Sequence, residues 1–101
     1  MLVFFSIAPL GEGESVSGAV SQIVAMIAGS GLDYKVTAMG TIIEGPPDAV
    51  FDLLKACHAR MSESHNRVSS KILIDDRRGA TGCIKAKIAS IEGKLGRDVN
   101  K

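Results

Sequence analysis

The stretch from Tyr34 to Gly45, Tyr-Lys-Val-Thr-Ala-Met-Gly-Thr-Ile-Ile-Glu-Gly, decides how this chain folds. β-Branched residues lie on both sides of Met39-Gly40, and glycine permits a tight bend, so the stretch predicts a hairpin of two short strands. Successive side chains of a strand point to opposite faces. This alternation places Thr37 on the same face as Met39, and Glu44 on the same face as Ile42.

A carboxylate and a hydroxyl in these strands suggest a binding site, because a buried and unpaired charge is costly. The first interpretation is therefore that Glu44 and Thr37 point into a small-molecule pocket. A structural alternative stays open for each residue. Glu44 is equally well explained as a strand-end carboxylate paired with Arg77 or Lys71, and Thr37 as a strand hydroxyl with ordinary hydrogen bonds.

Size and composition indicate one globular domain and exclude several classes of partner. The chain has 101 residues, of which 46% are hydrophobic and 23% charged, with a net charge of +1. This charge gives no electrostatic footprint for nucleic acid or an anionic membrane. Cys57 and Cys83 do not make a disulfide framework, and the apolar start lacks a basic leader. A cytoplasmic, reducing location is expected.

Hydrophobic periodicity predicts the elements that flank the hairpin. Before it we expect a strand over Leu2–Ala8, apolar on both faces, and an amphipathic helix over Val16–Ala28 with Ser15 as N-cap. After it we expect a helix that opens at Pro46-Pro47 and ends near Ser64, and a strand over Arg67–Asp75. The apolar stripe predicted for that helix consists of Val50, Leu53, Leu54, Cys57 and Met61. A C-terminal helix is predicted from a stripe of four residues: Ile84, Ile88, Ile91 and Leu95.

The resulting order, β-α-β-β-α-β-α, predicts an α+β fold of the ferredoxin-like βαββαβ type with an added C-terminal helix. Its usual strand order is 4-1-3-2, with both main helices on one face of the sheet. This order places Leu2–Ala8 in the middle, as its two-sided apolar pattern requires. Residues 1–95 form the single domain, and residues 96–101 form a C-terminal tail.

The sheet face turned away from the two main helices is unusually apolar. The residues that alternation assigns to it are Phe4, Ser6, Ala8, Thr37, Met39, Ile42, Glu44, Lys71, Leu73 and Asp75. A contiguous exposed apolar patch typically marks an interface. We therefore expect face-to-face self-association into a homodimer or a dimer of dimers, with the polar members lining cavities at the seam.

Three weaker patterns point to chemistry. The run Asp75-Asp76-Arg77-Arg78 suits a metal or a phosphate, but such runs are more often solvated turns that pair internally. His58 and His65 are seven residues apart on one helix, which is too far for one metal ion without a third element. Gly11-Glu12-Gly13-Glu14 precedes a helix but has no lysine, which disfavours a nucleotide site.

Several motifs together resemble a known family over nearly the whole chain. They are Ser6-Ile7-Ala8-Pro9-Leu10-Gly11 followed by Ser15, Tyr34, Met39-Gly40-Thr41-Ile42-Ile43-Glu44-Gly45, His58, and Ile74-Asp75-Asp76-Arg77-Arg78. This combination resembles the thiamine-binding protein family, which consists of small ferredoxin-like domains. The chain departs from the family pattern at Ala38, where proline is common, and at Gly79-Ala80, where a charged residue is common.

The resemblance implies a cytosolic homotetramer that binds thiamine or its hydroxymethylpyrimidine part. It does not imply catalysis, and we expect a protein that is not an enzyme and has no cofactor. The ligand-binding positions that it implies are Ser6, Pro9, Gly11, Met39, Gly40, Thr41, Glu44, Asp75 and Arg77. Thr37 is added by the strand pattern alone. The alternatives are an oligomeric regulatory or scaffold domain without a ligand, and an enzyme that uses Asp75 and Asp76 with a metal. Whether Ser6 and Glu44 belong to one pocket or two stays open.

Overall fold

The computed structural model describes residues 1–11 and 17–101, without the side chain of Ser17. The elements are β1 (Leu2–Pro9), α1 (Ser17–Ala28), β2 (Asp33–Val36), β3 (Thr41–Glu44), α2 (Pro47–Ser62), β4 (Val68–Asp75) and α3 (Cys83–Leu95). The predicted element order is confirmed. The predicted cap Ser15, the first predicted helical residue Val16 and the loop residues 12–14 lie outside the described residues.

The four strands form one antiparallel sheet in the order β2-β3-β1-β4, which confirms the ferredoxin-like α+β fold. Strand β1 lies in the centre, where Val3 pairs with Ile43 of β3 on one side and with Ile74 of β4 on the other. Pro9 was expected to end β1, and it is instead its last paired residue, opposite Val68.

The core lies between the sheet and the helices α1 and α2. Alternate residues of β1, namely Val3, Phe5 and Ile7, are buried there with Ile43 of β3. The helices complete this core with Ile23, Ile27, Val50, Leu54, Cys57 and Met61. The apolar stripes predicted for both helices are therefore confirmed. The opposite sheet face, which bears Phe4, Ile42 and Leu73, is called the open face below.

Thr37 lies in the hairpin turn, whereas the sequence pattern places it in a strand. β2 ends at Val36, so Thr37 belongs to the turn rather than to a strand. Its hydroxyl donates to the carbonyl oxygen of Gly40 at 2.7 Å and accepts from the backbone N–H groups of Met39 and Gly40. The hydrogen bonds of the Thr37 hydroxyl therefore all lie within the turn, which they close.

Gly40 is the position in this hairpin where a side chain has no room. A Cβ atom there would lie 2.6 Å from the Phe4 ring and 2.9 Å from the Phe5 carbonyl oxygen. We expect Gly40→Ala to lower the free energy of unfolding by about 1–3 kcal/mol, measured by urea denaturation. Gly45→Ala is the control, because its Cβ would meet chiefly the mobile end of the Leu32 side chain. An equal loss in both variants would contradict this.

Helix α3 is attached to the sheet without a buried core of its own. None of its residues is buried; Ile84 and Ile88 are half-buried, and Ile91 and Leu95 are exposed. The tail after it turns back, since the Val99 N–H donates to the Glu92 carboxylate at 2.9 Å. No described helix has the length and apolar character needed to cross a membrane.

Candidate functional site

Glu44 joins the sheet to α3. Alternation along β3 places its side chain on the open face, where only 7% of the residue is exposed. One carboxylate oxygen accepts from the Cys83 N–H at 2.9 Å, and the other accepts from the Ile84 N–H at 3.2 Å. The helix N-cap, Gly82, has no side chain that caps these groups. Glu44 therefore caps α3 from another element, in place of the expected alternative, a pairing with Arg77 or Lys71.

The electrostatics of this contact keep Glu44 ionised. Burial, the largest single influence, raises its pKa, but the N–H donors of Cys83 and Ile84, the Cys83 thiol and the charge of the N-terminus together lower it more. The net effect is a pKa below the ordinary Glu value. The Cys83 thiol also contacts Glu44; burial first, and then the hydrogen bond and charge of Glu44, raise the pKa of that thiol. Cys83 is accordingly a neutral thiol at neutral pH.

A groove of about 680 Å³ lies between α3 and the adjoining ends of the strands. Its lining residues are Met1, Leu2, Glu44, Asp75, Arg77, Ala80, Thr81, Cys83, Ala86, Lys87, Ser90 and Ile91. The walls thus combine apolar surface with carboxylate, hydroxyl and cationic groups. A concave surface of this size and mixture is typical of small-molecule sites.

This groove is called the α3 groove below. Two of its other charged groups, Asp75 and Lys87, neutralise each other. The Lys87 ammonium donates to an oxygen of Asp75, which lowers the pKa of Asp75 and raises that of Lys87. No carboxylate lies within salt-bridge distance of Arg77 in the described part of the chain. The cation of Arg77 is therefore the one groove charge that the described residues leave without a direct partner.

The structure separates the predicted site residues into two groups. Glu44, Asp75 and Arg77 meet at the α3 groove. A second cavity of about 220 Å³ lies between α1 and the hairpin turn, and its lining includes Ser6, Thr37, Met39, Gly40 and Thr41. Pro9 and Gly11 line neither of the two.

The first interpretation, that Thr37 and Glu44 share one pocket, is therefore wrong for a single chain. Glu44 pairs with Leu2 at one end of the β1–β3 ladder. Ser6 is four residues further along β1, a separation of roughly 13 Å. Thr37 lies in the turn at that same far end, and Thr41 faces the helices beside Phe5 rather than the open face.

Sequence reasoning missed the half of the groove that α3 and the residues just before it provide, namely Thr81, Cys83, Lys87 and Ser90. The predicted apolar stripe located the helix along the chain but not its position against the sheet. One signal was available: Gly82 cannot cap the helix with a side chain, so α3 needs an acceptor from elsewhere. Glu44, the carboxylate of the hairpin, is that acceptor.

The two histidines have local structural contacts, and Cys57 is buried. His58 Nδ1 lies 2.8 Å from the Ser70 hydroxyl, and His65 Nδ1 lies 3.0 Å from the Met61 carbonyl oxygen. Burial raises the pKa of Cys57 to about 11. Within residues 1–11 and 17–101, no three His, Cys, Asp or Glu residues are grouped as metal ligands.

The sequence of the whole domain matches a family model. Residues 3–92 fit the family model described as "Thiamine-binding protein". This range includes residues from both walls of the α3 groove. The chain belongs to this family. It is 36% identical to UPF0045 protein Mb1933 of Mycobacterium bovis over 96 residues, covering 94% of each chain.

Solved structures of similar proteins share the fold. UPF0045 protein MJ1052 of Methanocaldococcus jannaschii is 34% identical over 86 residues, which cover 85% of this chain and 86% of that protein. Its crystal structure superposes with a TM-score of 0.82 at 32% identity over 89% of this chain and 93% of that one. A Thermotoga maritima protein, provisionally assigned to thiamine biosynthesis or salvage, has a TM-score of 0.80 at 20% identity, over 89% and 96% of the two chains. At 20% identity, the similarity to the Thermotoga maritima protein shows only that the fold is shared.

Proposed function

We propose that this chain is a non-enzymatic binding protein that holds thiamine or its hydroxymethylpyrimidine part in the α3 groove. The observation that carries the proposal is the ionised, almost fully buried Glu44 carboxylate in the wall of a groove of about 680 Å³. Membership of the thiamine-binding protein family supports the choice of ligand.

Glu44 has the capacity to hold α3 and a ligand at the same time. A carboxylate offers about four lone-pair sites. Cys83 and Ile84 use one backbone N–H each, and the Cys83 thiol also contacts the carboxylate. A remaining site accepts from the amino group of an aminopyrimidine, in a charge-assisted hydrogen bond. The apolar Leu2, Ala86 and Ile91 surfaces suit the body of such a ring.

The assembly proposed with this function is a homodimer or homotetramer built through the open face. Leu73 of this face is strongly exposed in the single chain, at 69%. Phe4 and Ile42 are half-buried next to Leu73, around a shallow apolar depression. A cytoplasmic location is proposed with it, in keeping with the free thiols Cys57 and Cys83. Light scattering after size exclusion tests the assembly, and a stable monomer would contradict it.

Ligand binding is tested by thermal melting with thiamine and, separately, with hydroxymethylpyrimidine. At about 100 times its dissociation constant, a ligand adds about 2.7 kcal/mol to the free energy of unfolding. We expect that shift for at least one of the two compounds. It should disappear in Glu44→Gln and persist in Thr37→Ala, because Thr37 lies at the opposite end of the hairpin. The reverse pattern would assign the ligand to the cavity beneath α1.

A scaffold role without any small molecule is the second candidate, favoured by the exposure of Met39 and Leu73. It predicts no melting shift with any ligand while self-association remains. An enzyme that uses Asp75 and Asp76 with a metal predicts a shift with divalent metals only. The ion pair of Asp75 with Lys87 disfavours the enzyme, because it engages one of the required carboxylates.

A further inference from the structure

The α3 groove is elongated, and its charges are divided between its two ends. Glu44 of β3 and Asp75 of β4 both pair with Leu2 of β1, from its two sides. Directly opposed residues share a face of a sheet. The two carboxylates therefore flank Leu2 on the open face, and two strand spacings separate their backbones by roughly 10 Å. Arg77 follows two residues after Asp75 and lines the groove on that side.

The end of the groove near Arg77 carries an excess of positive charge. Asp75 is paired with Lys87. Their mutual contact shifts the pKa of each group most, and the charge of Arg77 also acts on both, so Arg77 lies close to this pair. The carboxylate next to Arg77 in the sequence, Asp76, lies 4.0 Å from the Met1 ammonium. Two cations, Lys87 and Arg77, thus share one carboxylate at this end.

We propose that the α3 groove binds a phosphate ester of thiamine, with the phosphate held by Arg77. The inference rests on the proposed function, in which Glu44 accepts from the aminopyrimidine at the other end. A guanidinium donates two parallel N–H groups to phosphate oxygens, a geometry that a planar fork provides. The Lys87 ammonium and the hydroxyls of Thr81 and Ser90 line the same groove and supply further donors.

The balance of charge favours the phosphate ester over free thiamine. Free thiamine carries a thiazolium cation and an uncharged hydroxyl group. It would add positive charge to a groove end that already has an excess, and like charges repel. A phosphate monoester carries a charge of about −1.5 to −2 near neutral pH. That charge compensates both the thiazolium of the ligand and the guanidinium of Arg77.

The length of the groove favours a thiamine ester over hydroxymethylpyrimidine phosphate. In hydroxymethylpyrimidine phosphate, the amino group and the phosphorylated methyl group are attached to adjacent ring atoms. Such a compact molecule does not span the roughly 10 Å between the backbones that bear Glu44 and Asp75. In thiamine phosphate the amino group is on one ring and the phosphate is on a side chain of the other. It therefore suits a groove with an acceptor at one end and a cation at the other.

Calorimetric titration of the full chain with thiamine and thiamine monophosphate tests the proposal. We expect the monophosphate to bind about tenfold more tightly, a modest ratio because Arg77 is exposed to solvent. The ratio of the two affinities should fall towards one in Arg77→Gln. Arg78→Gln is the matched control, because it removes the same charge from a residue that is not among those lining the groove. The ratio should persist there.

Two further titrations, with hydroxymethylpyrimidine phosphate and with inorganic phosphate, separate the sources of a phosphate effect. Either compound binding as tightly as thiamine monophosphate would overturn the proposal, since the elongated ligand would then have no advantage. Equal affinities for thiamine and its monophosphate, or an equal loss of the ratio in Arg77→Gln and Arg78→Gln, would also overturn it and leave the proposed function standing. Failure of the proposed function gives a different result, because neither thiamine compound then binds.

Discussion

Ile43→Ala is expected to lower the free energy of unfolding by about 3 kcal/mol, within the 2–5 kcal/mol usual for truncating a buried Ile. Ile43 is completely buried beside Val3, in the layer between the sheet and the helices α1 and α2. Truncation leaves a cavity that the adjoining strand β1 cannot fill without losing its pairing. Urea denaturation at neutral pH measures the loss.

Ile42→Ala is the matched control, with the same chemical change one residue earlier in β3. Ile42 lies on the open face and is only half-buried in the single chain. We expect a smaller loss of stability, together with weaker self-association in light scattering. Equal losses of stability in the two variants at a concentration where the chain is monomeric would contradict the assignment of the faces.

The contrast between Ile42 and Ile43 illustrates why the sheet could be predicted from sequence. A strand has a period of two residues, so each assignment to a face follows from its neighbours once one buried residue is known. β1 is apolar on both faces, which indicates a central strand, and the usual strand order of the fold then places it between β3 and β4. The helices α1 and α2 could be predicted from their apolar stripes, because both stripes must be buried against the same face of the sheet.

The site was less predictable, because its parts are joined by tertiary contacts with no local pattern. Thr37 looked like a strand hydroxyl aimed at a ligand, but hydrogen bonds to the backbone of Gly40 make it a turn residue. Glu44 was singled out correctly as a carboxylate that needs partners. Those partners are N–H groups some 40 residues away, at the start of a helix whose position on the sheet no periodicity specifies.

Glu44→Gln is expected to lower the stability of the chain by about 1.5–3 kcal/mol at pH 7, the range for hydrogen bonds to a charged group. A Gln side chain accepts at its oxygen but directs an NH₂ group at the second N–H donor of α3. Because no residue of α3 is buried, loss of this cap should release the helix before the core unfolds. Hydrogen exchange should therefore become faster in α3 and stay slow in β1.

The pH dependence of Glu44→Gln distinguishes the charge of Glu44 from its shape. The folded-state pKa of Glu44 is below its ordinary value, so its carboxylate stabilises the fold fully above the unfolded pKa. That contribution is lost as the pH falls through the folded pKa, and the original chain and the variant should then approach the same stability. Asp75→Asn, which breaks only the exposed contact with Lys87, should leave α3 exchange nearly unchanged at neutral pH. A difference between the original chain and Glu44→Gln that is constant with pH would show that Glu44 holds α3 by packing and not by its charge.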